Sequence, residues 1–304
     1  MKTILTLYGS DDWHVDEPFE NAGVVRMYEI WESIGKRKGF QIARASMEWF
    51  VNGAFTKYWH LSNGKWRKVK RRLKPTVIYD RSLVYDRKTG RIIHTDYLKK
   101  QEITKFVPIV NVPDFTRLMD NKLYQAAIYR DVMPDTVLVT PGTIVKNPTG
   151  KRIVLKALGG AGGRFVYITR AKRIKVTERM IKQTFLDAER DGRFEDFRIH
   201  FVGDRAMYIY TRVSQKGSVF TNVRKGAEFH FISFKDQPRV HKLALELHKR
   251  LSVFPKKIYA IDFMIERRTG KPNVIEVNSA PGMIASDNRR HEILMNETTK
   301  LLLG

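Results

Sequence analysis

The chain has 304 residues, 42% of them hydrophobic, with 56 Lys and Arg against 32 Asp and Glu, for a formal net charge of +24. That length supports two or three subdomains with real cores. The absence of cysteine excludes disulfides, thiol catalysis and cysteine-bound zinc, and fits a reducing, cytoplasmic setting. Eight histidines without an H-E-x-x-H spacing give no support to a histidine-held metal, and no 18-residue apolar run marks a membrane span. The positive field implies acidic partners such as nucleic acid, an acidic protein or peptide, or anionic cofactors, without choosing among them.

In chain order, Thr3–Tyr8 reads as a first strand because its apolar run is too short for a signal-peptide core. Asn21–Lys36 has a helical apolar period ended by Gly35 and Gly39, and Phe40–Ala45 is the next strand. This opening predicts an open α/β layer. Phe55–Leu73 reads as a hairpin with Asn63-Gly64 at its tip. Lys65, Arg67, Lys68, Lys70, Arg71, Arg72 and Lys74 crowd its second half around Trp66. Such a run is more often a charged edge strand, but with an aromatic beside it nucleic-acid contact through base stacking is an alternative. Thr76–Asp80 is a further strand, and Pro108–Pro113 marks a boundary.

Beyond it, Arg117–Val132 is expected as one helix, Thr136–Thr140 and Arg152–Ala157 as strands, and Thr177–Glu189 as a helix. Between them Lys156 precedes Gly159, Gly160, Ala161, Gly162 and Gly163, a stretch whose backbone N–H groups could approach phosphate oxygens beside a point charge. It is neither a Walker A sequence nor a Rossmann fingerprint. Phe197–Val202 and Ala206–Val213 form a hairpin; a three-residue turn puts Arg198 and Arg212 on one face, and a two-residue turn separates them. Arg239–Arg250 is an amphipathic helix. Last come strands Tyr259–Ile265 and Asn273–Asn278, joined by a turn about Thr269. Folded symmetrically, they set Asp262 opposite Glu276, with Ala260, Met264, Val274 and Asn278 on the same face and Ile261, Phe263, Ile265, Ile275 and Val277 on the core face. Facing carboxylates repel unless a cation lies between them, and Asp, Glu and Asn oxygens suit a hard ion such as Mg²⁺.

The ordered set Lys122, Lys156 with the glycines, Asp196-Phe197-Arg198, Arg212, Asn222-Val223-Arg224-Lys225-Gly226, Asp262 and Glu276-Val277-Asn278-Ser279-Ala280-Pro281-Gly282 resembles the ATP-grasp superfamily. The nearest look is to the branch of glutathione synthetase and the ribosomal-protein glutamate ligase, with YheC/YheD-like relatives. The resemblance implies an α/β fold with α+β subdomains: an N-terminal open α/β subdomain (1–112), a small subdomain with a glycine flap (113–184) and a C-terminal subdomain with the metal site (185–304). It further implies that Lys122, Lys156 and Gly159–Gly163 hold ATP phosphates, that Asn222 lines the same floor, and that Asp262, Glu276 and Asn278 hold one or two Mg²⁺ ions. Arg198, Arg212 and Arg224 would meet the γ-phosphate or an acyl phosphate. The implied activity is carboxylate–amine ligation on an acidic peptide, amino acid or protein; a phosphotransferase and a basic nucleic-acid-binding protein are the alternatives. The pattern departs from the family at the adenine hinge, where Gln183 is followed by Thr184 and Asp187 is the candidate for the ribose, and at Phe165, where glycine is frequent. Met264 and Tyr210 are expected as packing residues.

Overall fold

The computed structural model describes residues 1–19, 21–86, 88–160, 163–282 and 288–304, with the Arg224 side chain outside that description. Its first layer is a six-stranded sheet in the order Lys65–Val69, Tyr58–Ser62, Phe40–Ser46, Lys2–Tyr8, Val77–Asp80, Ile109–Val110. The central strand pairs in parallel with both neighbours, and Ile4, Leu5 and Leu7 are fully buried, as a strand covered on both faces requires. Helix Ala22–Lys38 is capped by the Asn21 side chain, which accepts from Val24 N–H, and ends at Gly39 with φ 72°. It buries Met27, Tyr28, Trp31 and Ile34. Trp31 Nε1 donates to Thr299 Oγ1 at 2.9 Å, so helix Asn288–Leu303 packs into this first core through Leu294, Met295 and Leu302.

The basic hairpin forms as expected, but Trp66 points inward. Strand alternation leaves Lys65 and Arg67 exposed and buries Trp66 against Phe19 and Tyr28. Its ring is therefore a core element and not a stacking platform.

The middle lobe is a four-stranded sheet in the order Val166–Thr169, Ile153–Ala157, Met180–Thr184, Thr136–Val139, flanked by the pair Ile144–Lys146 and Arg173–Lys175. Met180–Thr184 replaces the helix expected over Thr177–Glu189. Ile181 and Gln183 alternate inward between two antiparallel neighbours, and that pairing outweighs the helical spacing of the segment. The helix expected over Arg117–Val132 is broken into Pro113–Asp120 and Lys122–Ile128. Asn121, in extended conformation between them, caps the second helix by accepting from Leu123 N–H.

The third layer is a sheet in the order Glu228–Ile232, Arg205–Val213, Arg193–Val202, Ile258–Ile265, Pro272–Asn278. Its core face packs Phe197, Ile199, Phe201, Ile261, Phe263 and Val277 against helices Pro113–Asp120 and Pro238–Lys249. The outer edge of Pro272–Asn278 is covered by Gln125, whose amide accepts from Val277 N–H at 2.9 Å and donates to its carbonyl at 2.9 Å. Asn111, from the first layer, bridges the start of one strand and the end of the other by donating to Ile258 O and Ser279 O and accepting from Ile258 N–H.

Candidate active site

The charged face of the third sheet is set by two β-bulges. The Gly203-Asp204 turn has two residues, since Val202 pairs with Arg205, and alone it would separate Arg198 from Arg212. An extra residue, Met207, is taken up between the pairs Phe201–Ala206 and His200–Tyr208. From there Arg198 pairs with Tyr210 and Asp196 with Arg212, so both arginines reach one face. The second bulge lies between Asp262 and Phe263. Asp262 opposes Glu276 and Ala260 opposes Asn278, as the sequence predicts, but Phe263 opposes Val274. Ile275 is the extra residue, so Val274 goes to the core and Ile275 turns to the cleft, the reverse of the symmetric expectation.

Charge compensation across this face is dense. Arg198 donates through Nε and Nη2 to the two oxygens of Asp262, each at 2.5 Å. Arg212 forks onto Asp196 at 2.6 and 2.7 Å and adds a bond to Asp262 at 3.0 Å. Thr221 Oγ1 donates to Asp196. Burial acts to raise the Asp262 carboxyl, but the Arg198 and Arg212 guanidiniums hold it well below the usual carboxylate range. Burial, reinforced by Arg198, pushes His200 far below its ordinary value, so its ring is neutral. Glu276 takes its cation from the broken helix: Lys122 Nζ lies 3.1 Å from Glu276 Oε1 and donates to Gly160 O at 2.5 Å. The facing carboxylates are thus compensated by three protein cations.

Lys156 differs. It is 7% exposed, donates to Gln183 Oε1 at 2.7 Å, and pairs with no carboxylate among the described residues. Burial lowers its pKa from the ordinary 10.5 to about 8.

Between the middle lobe and the third sheet lies an open cleft, with about 850 Å³ of empty space counted out into solvent. Lys122, Lys156, Gly160, Gly163, Asn222, Arg212, Asp262 and Glu276 give it polar groups. Val154, Val166, Ile168, Phe185, Phe220, Met264 and Ile275 give it apolar surface. Met264 therefore faces the cleft rather than serving only as packing.

Gly163 sits at φ +71°, and a Cβ there would lie 2.4 Å from Asn222 Oδ1, so the end of the glycine stretch touches the cleft floor. Gly159 faces elsewhere: its N–H donates to Gly90 O, and a Cβ would meet Tyr85 at 2.4 Å. Phe165 has φ 56°, a left-handed conformation where glycine is at ease, with its ring between Gly90 and Gly160. Ala161 and Gly162 lie outside the described residues. Asp187 is exposed, pairs with Arg267 at 3.2 Å, and does not line the cleft. Asn278 stands next to Asp262, its Nδ2 3.4 Å from Oδ2.

The fold has solved counterparts. The chain is similar to a RimK domain ATP-grasp protein from Sphaerobacter thermophilus DSM 20745, with TM-score 0.59 and 12% identity over 99% of this chain and 100% of the other. It is similar to D-cycloserine synthetase, with TM-score 0.64 and 12% identity over 98% and 99%. It is also similar to the D-alanine–D-alanine ligase of Bacillus anthracis in complex with ATP, with TM-score 0.58 and 13% identity over 100% and 96%. Among curated proteins, none matches this chain. The family description RimK-like ATP-grasp domain matches residues 139–299, more than half of the chain, which spans the glycine stretch, both bulged hairpins and the Asp262–Glu276 pair. The chain belongs to the RimK-like ATP-grasp family.

Proposed function

We propose that the protein is an ATP- and Mg²⁺-dependent carboxylate–amine ligase. The observation that carries this reading is Lys156, a buried cation paired with no carboxylate among the described residues, in a cleft lined by both polar and apolar groups. A nucleotide fits that lining, with its base among Val154, Ile168, Phe185 and Met264 and its phosphates at Lys156, Lys122 and the Gly160 and Gly163 backbone. ATP in the Bacillus anthracis ligase, and ligation by that protein and by D-cycloserine synthetase, agree with the reading.

Asp262, Glu276 and Asn278 fit a magnesium site by chemistry, since they offer hard oxygen donors at adjacent ladder positions and Asp262 stays ionised. No group of three His, Cys, Asp or Glu stands together among the described residues, so this set of two carboxylates and one amide would leave the remaining positions to phosphate oxygens and water. Bound there, the ion would neutralise charge on the β- and γ-phosphates.

The chain's own residues supply the rest. Lys122 would exchange its Glu276 contact for phosphate, Lys156 would hold its proton more firmly beside the triphosphate, and Arg198 and Arg212 would face the transferring γ-phosphoryl group. Phosphoryl transfer rests on such positioning and charge neutralisation. A substrate carboxylate oxygen attacks the γ-phosphorus and ADP leaves; the amine then attacks the acyl carbon, and inorganic phosphate departs as the amide forms. Gly163 against Asn222 would keep water from the acyl phosphate. The chain's net charge of +24 favours an acidic small molecule or peptide as the acid or the amine.

Incubation with ATP, Mg²⁺ and a matrix of amino acids, acidic peptides and amines tests this. The expected result is ADP, phosphate and amide in equal amounts. A stable phosphorylated product without amide would replace ligation with phosphotransfer.

A further inference from the structure

Buried cations in this chain are matched to carboxylates: Arg44 to Asp12, Lys100 to Asp80 at 2.8 Å, Arg198 to Asp262, Arg212 to Asp196. Near the site, two cations pair with no carboxylate among the described residues, one buried and one half-buried with a buried Nε. One is Lys156, where the reading above places ATP phosphates. The other is Arg81. Its Nη1 donates to the Tyr79 hydroxyl at 3.2 Å and its Nη2 to Pro281 O at 3.1 Å, while its Nε is buried with no partner. Both acceptors are neutral, and a guanidinium drawn out of water without an anion is strongly disfavoured unless a ligand completes it.

The position of Arg81 says where that ligand lies. It directly follows strand Val77–Asp80, at the carboxyl end of the parallel part of the first sheet, the edge at which open α/β layers meet their ligands. Pro281 follows Asn278 closely in the chain, so Arg81 bridges the first layer to the third sheet beside its charged face. On that face the row Glu276, Asp262, Arg198 is the phosphate row of the proposed function. The next row is Asn278, Ala260, His200, Tyr208. Two residues along a strand separate the rows by about 6–7 Å. Arg81 reaches this side of the sheet through Pro281, just beyond Asn278 at the end of the second row. The row carries an unmet polar group, since the buried His200 Nε2 has no partner.

We propose that Arg81 receives a carboxylate of the non-nucleotide substrate, one row away from the γ-phosphate. The assignment rests on the ligase reading for the identity of the neighbouring row. The carboxylate belongs either to a dicarboxylic acid, whose other carboxylate is activated beside Arg198, or to an amino acid whose amine is the acceptor. Both present one anion to a planar guanidinium, which takes carboxylates in fork geometry.

The experiment measures binding of succinate, glutarate, a set of α-amino acids and the corresponding amides to the full chain, with and without a non-hydrolysable ATP analogue and Mg²⁺. Binding of the analogue is recorded first and by itself. Wild type is expected to bind at least one carboxylate probe at least tenfold more tightly than its amide. Arg81→Met is expected to lose at least tenfold for that probe while its affinity for the analogue is unchanged, and Arg81→Lys to lose less. Dicarboxylates binding without amino acids assigns the acid substrate, and the converse assigns the acceptor. Equal affinity for acid and amide, no carboxylate probe bound, or an unaffected Arg81→Met overturns the proposal. If Arg81→Met does not fold, the acid-against-amide comparison in wild type decides it. Failure of the ATP analogue to bind counts against the ligase reading alone, because the nucleotide-free arm still reports on Arg81.

Discussion

Raising the pH from 7 to 9 is expected to weaken ATP binding about tenfold, through Lys156. In the free protein, burial holds this lysine at about 8, so it is about nine-tenths charged at pH 7 and about one-tenth charged at pH 9. A triphosphate beside it favours the ammonium form and moves its pKa back up. Binding above pH 8 must therefore take up a proton, and log Kd rises toward one unit per pH unit until the bound-state pKa is reached. ATP contributes no proton change of its own there, since phosphate second ionisations lie near about 6. Calorimetry at pH 9 in two buffers of different ionisation enthalpy should report about 0.9 proton taken up per ATP, falling to about 0.1 at pH 7. Lys156→Arg keeps the charge at both pH values and should remove the uptake. In the absence of ATP the sign is independently fixed: a lysine depressed in the folded state makes stability rise with pH between about 8 and 10.5. A wild-type Kd unchanged from pH 7 to 9, with no buffer-dependent heat, would refute the placement of phosphate against Lys156.

Glu276→Gln should abolish ATP turnover and lower stability by ~1–3 kcal/mol, because the buried Lys122 loses its carboxylate partner; turnover at the wild-type rate would remove Glu276 from the site. Gly163→Ala should raise KM for ATP and lower Tm, since alanine is strained at φ +71° and its Cβ meets Asn222 at the cleft floor, and an unchanged KM would show that this contact does not form with nucleotide. Asp120 is raised by burial to about 6, where it accepts from Ser279 Oγ and Val84 N–H. The folded state therefore holds its proton more tightly than the unfolded state, and its contribution to stability falls as pH rises from about 4 to above 6. Urea midpoints of wild type and Asp120→Asn should diverge between pH 5 and 7, with the variant gaining at the higher pH; parallel curves would refute the shift.

The Asp262–Glu276 facing pair was read correctly, but the bulge at Ile275 delivers it, since from the turn Ile265 pairs with Pro272 and Phe263 with Val274. The order of lysines, glycines and arginines along the chain likewise pointed to the family. What escaped reading were single-residue insertions. Met207 and Ile275 carry no signal as bulges, since each belongs equally well to an unbroken strand, yet they decide which side chains reach the cleft. Helix and strand were confused over Thr177–Glu189, where propensity is weak and the sheet neighbours Ile153–Ala157 and Thr136–Val139 settle the matter. Asp187 was placed by analogy at the nucleotide, and its pairing with Arg267 depends on a contact 80 residues away in the chain. The missed Arg81 stands alone after an apolar strand, and only its lack of a carboxylate partner in three dimensions distinguishes it.

Helix Asn288–Leu303 fills the core of the first layer, where Trp31 reaches Thr299 and Leu294, Met295 and Leu302 join Ile4 and Ile34. On the ribosome this makes the first layer the last to finish. At synthesis rates of about 5–20 residues per second, the amino-terminal strands wait some tens of seconds with that flank of their core open. The cleft, built from intervening segments, lies between the two halves of this delayed contact, so its assembly precedes the arrival of that helix.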